Sequence, residues 1–262
     1  MGWEYLGLLF VVCLFLCLAG FYKYVYFISV GYGFSVAGIG ASLTMLCLMK
    51  QFRAETQHYL LFAVLIIYGL RLASFLMIRE TNKAYRATLQ EAMGKEKRIP
   101  ILTKVVTWIF VSALYVVQTS PAFFAVKNGG FASSWTVAGI VICVLGVVIE
   151  TIADLQKSAQ KKKRPDMVAT KGLYRIVRCP NYFGEILFWT GVLVSSLDML
   201  KGFGQWAMAL IGYICIVFIM FNGAKRLEKR QMKRYGDNEE YIKYAEKTPI
   251  IIPLLPIYRL NK

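Results

Sequence analysis

The chain has 262 residues, 57% of them hydrophobic and 18% charged, and its 31 Lys and Arg against 15 Asp and Glu give a formal net charge of +16. Soluble domains run at roughly 45–50% apolar and about 25% charged, and here the apolar excess is gathered into uncharged runs over 5–22, 24–49, 105–126, 128–149 and 202–223. Such runs are long enough to cross a ~30 Å hydrocarbon core as helices, which excludes a soluble globule and a disordered chain; an outer-membrane barrel would alternate with period two.

In chain order, the N-terminus MGWEYLGLL carries no basic segment, so no cleaved signal peptide is expected and the first helix is retained. Gly2 is present, but Leu6 stands where myristoylation needs Ser or Thr. Seven spans are predicted near 4–22, 25–49, 58–78, 104–126, 134–153, 182–199 and 204–223. The fold class is therefore all-α: a polytopic seven-transmembrane-helix bundle in one domain, 1–262. The charged segment 79–100 reads as an interfacial helix, with Pro100 opening the next span. Residues 223–262 form a basic tail. Every Lys and Arg except Lys50, Arg53, Arg71, Lys127 and Lys201 falls on one side of this arrangement, which puts the C-terminus in the cytosol. Basic residues set between apolar runs point to membrane lipid headgroups, or to a polyanionic cytosolic cofactor, and not to nucleic acid. Six cysteines without a CxxC pair, and a single histidine, His58, give no reason to expect a disulfide framework or a metal site.

Charged and polar groups cost ~2.5–3.5 kcal/mol each in the hydrocarbon, so they mark candidate sites. Tyr68 and Arg71 lie in the third span; Arg71 can snorkel, and Tyr68 is either packing or a neutral acid facing a polar cavity. Glu150 and Asp154 share a face at the end of the fifth span, followed by Gln156 and Lys157. They form either a solvated helix end or a pair bridged by the hydrogen-bond donors of a ribose or an amide. The run Lys161–Arg164 is dense enough for headgroups. In KGLYRIVRCPNYFGE (171–185), Arg175 and Arg178 are three apart and can reach one phosphate-bearing ligand. Pro180 can open a helix with Asn181, Tyr182 and Glu185 in its first turns, and Gly184 permits close approach. The tail, with Arg226 and Tyr235, reads as a membrane-surface helix or as a basic lid over a cofactor.

RCPNYFGEILFW (178–189) resembles the RHPNYFGE signature of the steroid 5α-reductase-like membrane reductases, and YGLRLASFLMIRE (68–80) and the tail over 227–253 are similar to the same family. The resemblance implies a seven-helix bundle that holds NADPH between the later spans, 101–222, and the cytosolic loops. A lipid or steroid substrate would enter from the bilayer at spans 1–3, residues 1–78. It further implies that Asn181, Glu185 and Asp154 contact the cofactor, that Glu150 lies beside them, that Lys161 falls near a phosphate-reading position, and that Tyr68 hydrogen-bonds the substrate ketone. Cys179 departs from the family's usual histidine, and 24–49 holds no acid where the steroid reductases carry a glutamate. The activity implied is hydride transfer to the β-carbon of an enone such as a 3-oxo-Δ4-steroid.

Two other readings stand beside it. The isoprenylcysteine carboxyl methyltransferases, which bind S-adenosylmethionine, have a similar tail pattern that Glu228, Tyr235-Gly236, Tyr241 and Pro253 can fit. A non-catalytic lipid-binding membrane protein is the other. Asn181, Glu185 and the Asp154 face favour the reductase. No GxGxxG is present, so a nicotinamide site here is of another type than in soluble dinucleotide domains.

Overall fold

The computed structural model describes residues 2–81 and 99–261, so the interfacial helix expected over 79–100 lies, for 82–98, outside the described residues. Among the described residues all regular structure is helical: α1 (Glu4–Leu16), α2 (Ala19–Tyr22), a 3₁₀ turn (Tyr24–Ile28), α3 (Val30–Leu48), α4 (Thr56–Thr81), α5 (Ile101–Lys127), α6 (Ser134–Lys163), a second 3₁₀ turn (Gly172–Arg175), α7 (Pro180–Val194), α8 (Gly202–Tyr235) and α9 (Glu239–Lys247). Six stretches are long and apolar enough to cross a bilayer: Glu4–Tyr22, Tyr24–Leu48, Thr56–Arg79, Ile101–Lys127, Ser134–Lys163 and Gly202–Tyr235. The all-helical, polytopic architecture thus stands. The span expected over 182–199 is shorter than the others. It is α7, with 15 residues, about 22 Å at 1.5 Å per residue, below the ~30 Å of the hydrocarbon. Conversely, α6 and α8 run on past the expected ends at 153 and 223, because the Lys-, Arg-, Gln- and Ala-rich sequence there favours helix and needs no hydrocarbon around it.

The chain packs as two compact units. Unit 1 comprises Met1–Val137 and Leu193–Gly212. Its centre is the contact of α3 with α4, where small residues let two backbones touch. A Cβ on Gly33 would lie 2.8 Å from Ala73 N, and one on Gly69 would lie 2.6 Å from Ala37 N. α5 is stitched to the N-terminal elements by polar side chains reaching backbone carbonyls: Trp108 Nε1 donates to Leu14 O at 2.8 Å and the Tyr115 hydroxyl to Phe27 O at 2.7 Å. Pro121 sits inside α5 and has no N–H for the carbonyl of Val117. Gly212 of α8 faces that carbonyl, 2.7 Å from where its Cβ would be.

Unit 2 comprises Ala138–Val192 and Tyr213–Lys262. Here α6 crosses α7 along a second line of small residues. Built Cβ atoms would lie 2.6 Å from Phe188 N at Gly146, 2.8 Å from Gly146 O at Gly184 and 2.5 Å from Cys143 N at Gly191. The Cys143 thiol also reaches Phe188 O at 3.3 Å. The tail is a packed part of this unit: Met167, Val168, Tyr235, Tyr241 and Ala245 form one buried cluster, and Cys179, Ala224, Ile250 and Ile251 another. All six cysteines are free.

Candidate active site

In unit 1 the candidate is Tyr68. This residue is fully buried, and its hydroxyl lies 3.1 Å from that of Tyr32 on α3. The Tyr115 ring packs against Tyr32 at 5.0 Å between centroids, tilted by 38°, and its own hydroxyl is held by Phe27 O. One turn along α3 from Tyr32, Ser35 shares a hydrogen bond of 3.4 Å with the Cys17 thiol. Buried phenols of this kind are neutral donors in a dry setting, suited to a ligand oxygen that gathers negative charge. Arg71, three residues on from Tyr68, has its guanidinium over the Phe75 ring at 5.7 Å. Sequence reasoning singled out Tyr68 and missed Tyr32, which reads as one more aromatic in an uncharged run. Its placement one helical turn before Ser35 was the available signal.

In unit 2 the α6–α7 crossing places the other candidates. Glu150, Asp154, Lys157 and Lys161 are spaced at i, i+4, i+7 and i+11, so they share one face of α6. Gly184 has no side chain, and the Glu150 backbone N would stand 2.9 Å from a Cβ there. That contact sets the next residue of α7, Glu185, at the crossing, where Trp189 Nε1 donates to its Oε1 at 3.3 Å. Glu150, Asp154 and Glu185 are all buried, and Lys157 and Lys161 are half-buried. Asn181 and Tyr182 occupy the first turn of α7 and are half-buried, with the Tyr182 ring against Gly223 of α8.

The loop between α6 and α7 is folded back along the same helix. Gln156 accepts from Leu173 N at 2.8 Å and Gln160 from Thr170 N and Lys171 N at 2.9 Å. Gly172 takes φ +68° directly against Gln156, a conformation in which a side chain is strained. This seats the Tyr174 ring on Ala153, within the face that carries Glu150 and Asp154. The Lys161 ammonium reaches the Tyr235 hydroxyl at 2.8 Å and Pro165 O at 3.1 Å, so two residues singled out separately are neighbours.

Arg175 and Arg178 are not brought to one side. The 3₁₀ turn ends at Arg175, which is exposed, whereas Arg178 is buried. Arg178 Nη2 bridges to Glu228 at 3.1 Å and donates to the Tyr258 carbonyl. Glu228 in turn accepts from Leu260 N at 2.9 Å, Asn261 N at 3.0 Å and Asn261 Nδ2 at 2.8 Å. Arg178 and Glu228 therefore clamp the C-terminal segment to α8. Arg226 is exposed on α8. Cys179, next to Arg178, is buried against Ala224, Ile250 and Ile251, and burial pushes its thiol up to about 12.

A protein-family model covers most of the chain: residues 26–248 match DUF1295, described as a protein of unknown function. The chain belongs to this family. A partial similarity gives a chemical direction. The protein is 38% identical over 69 residues to "Steroid 5-alpha-reductase DET2" of Gossypium hirsutum, a stretch that is 26% of this chain and 26% of that protein. The match thus spans about a quarter of the relative's length. Both findings agree with the resemblance read from the sequence. No solved structure matches this DUF1295 member.

Proposed function

We propose that this DUF1295 member is an integral-membrane, NADPH-dependent reductase of the C=C bond of an enone lipid, with 3-oxo-Δ4-steroids as the substrate class. The observation that carries the reading is the glycine crossing of α6 and α7, which buries three carboxylates, Glu150, Asp154 and Glu185, on a helix face that continues into Lys157 and Lys161. A carboxylate accepts through about four lone-pair sites, so each can take a hydrogen bond from a ligand besides its partners within the protein. The hydroxyls of a ribose and the carboxamide of a nicotinamide offer the donors, and the two lysines and Arg175 suit phosphates. The donor set therefore fits the nucleotide.

In this reading Glu150, Asp154, Asn181 and Glu185 orient the sugar and amide, Lys157, Lys161 and Arg175 balance the phosphate charge, and Arg226 and Tyr235 border them. NADPH, when bound, supplies the hydride. Tyr68 donates a hydrogen bond to the substrate carbonyl oxygen, which becomes negative as the β-carbon is reduced, and Tyr32 holds the Tyr68 hydroxyl in place. Burial keeps water from competing for that oxygen. The partial similarity to a protein named as a steroid 5-alpha-reductase supports the steroid as substrate class. The test is a calorimetric titration of detergent-purified protein with NADPH. Asn181→Ala and Asp154→Asn should each weaken binding by about tenfold or more, and unchanged affinity in both would remove the site.

A further inference from the structure

Tyr174 belongs to none of the groups assigned so far, yet it sits among them. It is 4% exposed, its ring packs on Ala153, and its hydroxyl has no hydrogen-bond partner among the described residues. The position is held firmly from both sides. The Tyr174 carbonyl accepts from the Tyr244 hydroxyl at 2.6 Å, and the preceding backbone is fixed to Gln156 and Gln160. A tyrosine so rigidly seated has no freedom to turn its hydroxyl toward water. Leaving such a group unsatisfied costs stability, and a phenylalanine of the same shape would avoid that cost. The feature is explained if the hydroxyl finds its partner in a ligand.

We propose that the Tyr174 hydroxyl is a further binding group for the nucleotide, hydrogen-bonding a neutral polar group, a ribose hydroxyl or the carboxamide. Tyr174 packs at Ala153, beside the carboxylates Glu150 and Asp154 and more than a turn from Lys161, so it lies at the part of the helix face that suits donors and acceptors instead of phosphate. Burial, with the nearby Asp154 charge adding to it, disfavours a phenolate at Tyr174 and keeps the phenol protonated and able to donate. The inference rests on the nucleotide reading above and adds one residue to it.

The experiment compares wild type with Tyr174→Phe in detergent by ligand-free melting and by calorimetric titration with NADPH and, separately, with S-adenosylmethionine. The expected result has two parts. Ligand-free Tyr174→Phe melts at or above the wild-type temperature, because no internal hydrogen bond is lost. Its NADPH affinity falls about 3- to 10-fold, the worth of one hydrogen bond. A ligand-free melting temperature several degrees below wild type with NADPH affinity unchanged would show an internal partner and overturn the proposal. If wild type binds S-adenosylmethionine and not NADPH, and Tyr174→Phe weakens that binding, Tyr174 stands as a ligand contact and the reductase reading falls. If wild type binds neither, both are overturned.

Discussion

Two phenols buried side by side are tolerated when their hydroxyls satisfy each other, and the 3.1 Å contact of Tyr32 with Tyr68 does this. The pair also divides the labour at the proposed carbonyl site. Tyr68→Phe should lower turnover of an enone by about 10²-fold or more, in the range of general-acid contributions, with NADPH affinity unchanged. Tyr32→Phe should lower it less, about tenfold, because it removes support and not the donor itself. Steady-state rates of NADPH oxidation with a 3-oxo-Δ4-steroid read both, and equal rates for Tyr68→Phe and wild type would remove its role. Cys179 gives a pH prediction. Its thiol is held up to about 12 by burial, against 9.0 for an ordinary cysteine. The folded chain therefore keeps the proton where the unfolded chain releases it. The stability this group contributes is intact below about pH 9 and is lost as the pH climbs toward 12. Maleimide should not label Cys179 at pH 8 in the folded protein and should label it on unfolding; rapid labelling of the folded protein would contradict its burial. Tyr68 and the acidic face were legible in the sequence because charges and hydroxyls in apolar runs stand out. Tyr32 and Tyr174 were not, because an aromatic residue among apolar ones looks like packing until its hydroxyl is located.

At the scale of elements, glycine decides where helices touch. Gly184 meets backbone atoms of Gly146 and Glu150, which have no flexible end to move aside. Gly184→Ala should therefore push α7 off α6, at a cost of about 1–3 kcal/mol, and carry Glu185 with it, so both stability and NADPH affinity fall. Gly204→Ala, on α8 with nothing within 4 Å of the added carbon, is the control and should leave both unchanged. A second element-level prediction concerns the C-terminal clamp. Glu228→Ala strands Arg178 as a buried charge and frees Leu260 and Asn261, so it should destabilise unit 2 by about 3–5 kcal/mol. Thermal melting measures this, and a melting temperature equal to wild type would contradict the clamp. The sequence predicted that Arg178 and Arg175 act together, from their i, i+3 spacing. The structure instead leaves Arg175 exposed at the end of the 3₁₀ turn and buries Arg178 against Glu228, which spacing alone does not reveal. Gly184 was legible as a point of close approach; its partners, Gly146 and Glu150, were not, since a single sequence does not say which helix faces which.

At the scale of the molecule, uncharged runs located the spans, because the cost of burying charge in hydrocarbon is large enough to be visible residue by residue. Their ends were less legible. α6 and α8 continue as helices well into their basic segments, and α7 is too short to match the span drawn for it. Where a helix leaves the hydrocarbon and where it stops are set by different forces: the first by charge, the second by local propensity and capping. The proposed cytosolic C-terminus follows from the lopsided Lys and Arg distribution, and it agrees with a nucleotide drawn from the cytosol. The most direct test of the central claim is a titration of the purified protein with NADPH and with S-adenosylmethionine, in wild type and in Glu185→Ala. The wild type should bind NADPH saturably and at least tenfold more tightly than the variant, with no binding of S-adenosylmethionine. Saturable binding of S-adenosylmethionine with none of NADPH would contradict the claim.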